Sequence, residues 1–137
     1  MQLGGMAFLP LQSALGVEWA TALICAVSAA AMVVPVLTAN FTLVLVSFLV
    51  LEACIGCWGA CSANLRSSYI DEGLQSSIMT IFRVPLNVLV VVGTKLEETV
   101  PLPTVFLTCC AWFGLATLLQ ATLAVRTTAA AAKTKKA

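Results

Sequence analysis

Apolar residues run along this chain in long blocks, and only short polar stretches part them. The blocks cover about residues 19–38, 41–63, 74–94 and 104–125. Each reaches the ~20 residues that an α-helix needs to cross the hydrocarbon core of a bilayer. No charged residue lies between Glu18 and Glu52, and none between Val100 and Val125. The interruptions carry turn chemistry: TAN at 38–40, NLRSSYIDEG at 64–73 with Asp71 placed to cap the following helix, and the proline-marked KLEETVPLP at 95–103. The pattern therefore predicts an all-α integral membrane bundle of four transmembrane helices. Residues 1–18 are broken by Gly4, Gly5, Pro10 and Gly16 and are expected to be the remnant of a preceding helix rather than a further span. Residues 126–137 read as a basic, disordered tail.

Composition strengthens that picture. Of 137 residues, 61% are hydrophobic and 9% charged, against about half apolar and about one quarter charged in soluble domains. The net charge of +1 and the absence of a basic patch interleaved with aromatics exclude nucleic acid as a partner. The N-terminus has neither the positive start nor the cleavage site of a secretory signal. There is no histidine and no carboxylate cluster outside the apolar blocks, so no acid–base or nucleophile constellation can be assembled and no enzyme is expected. Nor is a cofactor. Six cysteines lie in apolar runs; Cys54, Cys57 and Cys61 fall on one helical stripe, offer three thiols without a fourth ligand nearby, and read as small packing residues.

Orientation follows from the basic residues, which are retained on the cytoplasmic side. Arg126, Lys133, Lys135 and Lys136 put the C-terminus inside. Four spans then put the N-terminus and the Arg66 loop inside as well. The final lysines also loosely match a dilysine retrieval signal, although a plasma-membrane location is the primary expectation.

The candidate chemistry sits within the apolar blocks, at Glu52 and Arg83. A charged side chain at the centre of a membrane helix costs about 2.5–3.5 kcal/mol on insertion scales and normally faces a partner or a wet cavity. On the second span Glu52 shares a face with Gly56, Gly59 and Ala63, small residues that let another backbone approach. On the third span Ser76, Thr80, Arg83, Asn87 and Thr94 share a narrow arc, as the wall of a water-lined path requires. Pro85 gives up one backbone hydrogen bond beside Arg83, which is tolerated at membrane depth where the freed carbonyl lines a cavity. Counting from the expected helix ends places Glu52 roughly 16 Å from the outer side and Arg83 roughly 14 Å from the inner side, at similar depth. Two readings follow. Either the two groups neutralise each other and hold their helices in register, or Arg83 uses its planar donor fork to bind an oxyanion while Glu52 orients it or titrates.

The segment EACIGCWG from Glu52, then LRSSYIDE at 65–72, then SIMTIFRVPLNVLVVV at 77–92, resembles the last helices of the molybdate-anion transporter family of the major facilitator superfamily. FRVPLN is its most specific block. The likeness covers about residues 46–125 and departs from the family pattern at Cys57, Trp58 and Gly59, at Asp71 and at Ile81. It implies that the spans correspond to helices nine to twelve of a twelve-helix transporter, a partial C-terminal half whose function is uptake of molybdate or a similar oxyanion. Carried onto this chain, the resemblance marks Arg83, Asn87, Glu52 and Thr80 as substrate-binding candidates and Gly56, Gly59, Pro85 and Arg66 as structural or gating ones. A facilitator site lies between two helical halves, so the missing N-terminal helices of the parent, or a second copy, would be needed to complete the cavity. Two other readings stand beside it. One is an autonomous four-helix protein acting as an oligomeric small transporter, and the other a non-transporting tetraspan scaffold.

Overall fold

The structure is a computed structural model that describes Ser13 and residues 15–134. The expectations for residues 1–12 and for Lys135 and Lys136 lie outside the described residues.

Among the described residues four long helices follow one another: α1 (Val17–Leu37), α2 (Phe41–Tyr69), α3 (Glu72–Thr99) and α4 (Leu102–Thr134). All four are long and apolar enough to cross a membrane, and no strand occurs among the described residues. The all-α four-helix architecture read from the blocks is the one adopted.

Local chemistry explains the links. α1 opens after Gly16, whose φ of 81° lies in the left-handed region that glycine enters without a Cβ clash. It closes two residues after Pro35, a residue that cannot donate to the preceding turn. The expected tight link at 38–40 is present. There the Asn40 side chain accepts from the Thr42 and Leu43 amides at 3.0 and 3.5 Å, capping the exposed start of α2. Between α2 and α3 only Ile70 and Asp71 remain outside helix; the Asp71 carbonyl takes the Leu74 and Gln75 amides at 3.0 and 3.1 Å and starts α3. Pro101 opens α4 in the same way, and Pro103 sits in its first turn, where a missing N–H costs nothing.

Three expectations are corrected. The segment 95–103 is mostly not a loop, because α3 continues through KLEET to Thr99 and α4 begins at Leu102, which leaves only Val100 and Pro101 outside helix. The segment 64–73 is not a loop, because α2 continues through NLRSSY to Tyr69. Its polar side chains are served within the helix: the Ser67 and Ser68 hydroxyls both donate to the Asn64 carbonyl at 2.9 Å. The tail is not disordered as far as Thr134, since α4 runs on through the alanine run, and alanine is the strongest helix former.

The core lies around α1, which packs along both α2 and α4. Its buried residues are nearly all small, among them Ala20, Thr21, Ala22, Cys25, Ser28 and Ala31, so neighbouring backbones can come close. α2 contributes Ser47, Cys54 and Cys61, and α4 contributes Ala124. At one end of the bundle a polar tie joins α1 and α2. The Tyr69 hydroxyl donates to Glu18 Oε1 at 2.7 Å. The Phe48 and Phe106 rings meet with centroids 6.0 Å apart.

α3 is different. None of its described side chains is buried, it touches the rest of the bundle sparsely through α4, and every position from Met79 to Lys95 is exposed.

Candidate functional site

The polar stripe of α3 begins at Ser76, whose carbonyl accepts the Thr80 hydroxyl at 2.9 Å. That bond occupies the only proton Thr80 can donate, so of the predicted ligands on this helix Arg83 and Asn87 keep free donors for an anion. Both lie on the exposed length of α3. The apolar flank is exposed as well, with Ile81 at 69% and Phe82 at 64% of full accessibility. Pro85 stands inside an unbroken helix, two residues beyond Arg83.

On α2, Glu52 is exposed and Gly56 half-buried. A Cβ added at Gly59 would meet nothing within 4 Å. The small-residue face predicted around Glu52 is therefore open, and α3 does not fill it.

Glu52 and Arg83 form no ion pair with each other; among the described residues the ion pair found is Lys95 with Glu98, at 3.1 Å on the surface. Register accounts for this. From Tyr69 back to Glu52 is seventeen residues and from Glu72 to Arg83 eleven, which at 1.5 Å per residue puts them roughly 26 and 17 Å from the shared link. Side chains lean toward the start of their own helix, so Glu52 points farther from the link and Arg83 back toward it. The similar depth expected from the sequence relied on a ten-residue loop at 64–73. With helix in place of loop, the two groups stand about 9 Å out of step along their axes.

Arg66, in the last turn of α2, is partly buried. Its Nη1 donates to Ser62 Oγ at 3.4 Å, one turn nearer the start of the helix.

The thiols occupy the opposite side of α2. Cys54 and Cys61 are buried against α1, with Cys57 and Ala60 packed beside them, and α1 brings Cys25 within electrostatic reach of Cys54 and Cys61. A fourth thiol thus arrives from another helix, which no spacing on α2 alone could reveal. Among the described residues no group of three or more potential ligands is arranged to hold a metal ion. None of the six cysteines is joined in a disulfide. Next to this cluster a cavity of about 240 Å³ opens between α1, α2 and α4, lined by Ile24, Cys25, Cys54, Trp58 and Phe113. Its lining is apolar apart from Ser28, and it contains none of the residues singled out from the sequence as binding an anion.

Four apolar helices, three of them packed through small residues, define a multi-pass integral membrane protein. In comparisons with family models, with curated proteins and with solved structures, nothing matches the chain.

Proposed function

We propose that this chain forms part of a secondary transporter for molybdate or a similar tetrahedral oxyanion, with the α3 stripe as one wall of the substrate path. The observation that carries the reading is Arg83, a guanidinium well inside an apolar helix with no carboxylate partner. Such a group costs about 2.5–3.5 kcal/mol in lipid, and a dianion entering a wet crevice offsets that cost through two parallel N–H···O bonds. The register described above counts against mutual neutralisation by Glu52, which leaves the charge available. Asn87, one turn away on the same face, supplies a neutral donor. The facing wall is contributed by further membrane helices, of the same protein or of a second copy, that cover α3 and the open Gly59 face. Basic residues at the tail and at Arg66 orient both ends of the four-helix region toward the cytoplasm, with the plasma membrane as the site of uptake.

The test is uptake of radiolabelled molybdate by the full-length protein in a host lacking its own uptake system. Arg83→Ala is expected to abolish uptake. Arg83→Lys is expected to restore little, because an ammonium keeps the charge but loses the fork. Normal uptake by Arg83→Ala would overturn the proposal.

A further inference from the structure

We propose that Arg83, with Ser76 below it on the same helix, holds a phospholipid phosphate in the leaflet at the α2–α3 link, and that a transported oxyanion enters by displacing that headgroup; the second half rests on the oxyanion reading of Arg83 given above. The level of Arg83 follows from α3 alone. The helix opens with the largely polar EGLQSS at 72–77, and its apolar run begins at Ile78. Arg83 stands five residues into that run and twelve before Lys95, whose exposed pair with Glu98 closes it at the other end. At 1.5 Å per residue the near edge is roughly 8 Å away and the far edge roughly 18 Å. Side chains lean toward the start of their helix, here toward the near edge. An arginine stem of about 6 Å can lie along the apolar surface while its head seeks the interface, so the guanidinium arrives within about 2 Å of the near edge. Every position from Met79 to Lys95 is exposed, and that lane is clear of the bundle's own side chains.

The charge at that level calls for an anion. Among the described residues Arg83 has no ion pair, and Glu72, eleven residues down the axis, lies roughly 17 Å away. Ser76 is exposed and seven residues before Arg83, which places it within about 20° of Arg83 around α3 and about 10 Å down the axis. The arginine stem spans more than half of that gap. A phosphate seated in the remainder accepts the guanidinium fork from above and the Ser76 hydroxyl from below. Thr80 does not compete as a donor, since its hydroxyl is given to the Ser76 carbonyl. Lipid phosphates lie in a layer at this level, which makes a phospholipid the occupant in the absence of substrate. A phosphodiester carries one negative charge and a tetrahedral dianion two, so the dianion binds the same fork more strongly and displaces it.

The experiment uses the purified full-length protein in phosphatidylcholine nanodiscs containing phosphatidylglycerol. Phosphatidylglycerol retained after dilution into pure phosphatidylcholine is measured by mass spectrometry, with and without molybdate, beside uptake in cells. Arg83→Ala is expected to lower retention by about tenfold or more, the worth of a charge-assisted bond, and Ser76→Ala by about threefold, that of a neutral one. Arg83→Lys is expected to keep most of the retention, because an ammonium also reaches the headgroups and binds phosphate as a point charge, while still failing to restore uptake. Molybdate is expected to release phosphatidylglycerol from the wild type. Retention unchanged in Arg83→Ala overturns the lipid site, and if that variant has nonetheless lost uptake, the oxyanion reading stands without it. Retention that depends on Arg83 but resists molybdate overturns the displacement. Lost retention together with normal uptake in Arg83→Ala leaves the lipid site standing and removes the oxyanion reading.

Discussion

Hydroxyls in this chain are consumed locally, and that decides what each polar residue can do. Thr80 gives its proton to the carbonyl of Ser76, Thr94 to that of Val91 and Thr117 to that of Phe113, which is how membrane helices hide such groups. Tyr69 is the exception, since it reaches across to Glu18 and ties α2 to α1. Tyr69→Phe is expected to lower stability by roughly 0.6 kcal/mol, the average of interhelical hydrogen bonds in membranes, as a lower thermal midpoint in detergent. Cys61 is fully buried in the α1–α2 seam. There Cys61→Leu is expected to cost about 1–3 kcal/mol through overpacking, while Cys61→Ala leaves the fold intact, and thermal unfolding of the two variants checks this. The packing role of the cysteine stripe was legible in its spacing. The tie was not, because Glu18 and Tyr69 stand fifty-one positions apart and read singly as a flank and a loop residue.

At the scale of elements, the apolar blocks foretold all four helices, and errors arose only where polar residues continue a helix. NLRSSY looked like a loop because loops are polar, yet serines whose hydroxyls bond one turn back are compatible with helix. That misreading carried forward: a ten-residue loop would let Glu52 and Arg83 share a depth, and a two-residue link does not. Two substitutions probe the elements themselves. Gln120 on α4 has a buried Oε1 without a hydrogen-bond partner, so Gln120→Leu should be neutral or raise the melting temperature, since an unsatisfied buried group costs about 1–3 kcal/mol. Pro85 forfeits a backbone bond within α3. Pro85→Ala should therefore stabilise α3, by up to ~3 kcal/mol, while lowering uptake if the freed carbonyl lines the path; melting and uptake measured on the same preparation would show the two effects moving in opposite directions.

For the molecule as a whole, the contrast is between a packed trio and an isolated fourth helix. α1 is enclosed by α2 and α4 through alanine, serine and cysteine contacts, and the Tyr69–Glu18 bond ties α1 to α2 at one end. α3 carries the strongest polar stripe and buries nothing. A helix with an arginine near its middle is stable in a bilayer only if that arginine meets water, protein or an anion, so the account requires a polar crevice along one side of α3 and lipid or apolar protein along the other. This difference between two faces of one helix is its central claim. It is tested most directly by replacing the six native cysteines, placing single cysteines at Ser76, Thr80 and Asn87 and at Ile81, Val88 and Val92, and measuring labelling by a charged, membrane-impermeant thiol reagent with and without molybdate. The account predicts rapid labelling on the Ser76–Asn87 face, slowed by molybdate, and slow labelling on the other. Equal labelling of both faces, or a polar face that molybdate does not protect, would contradict it.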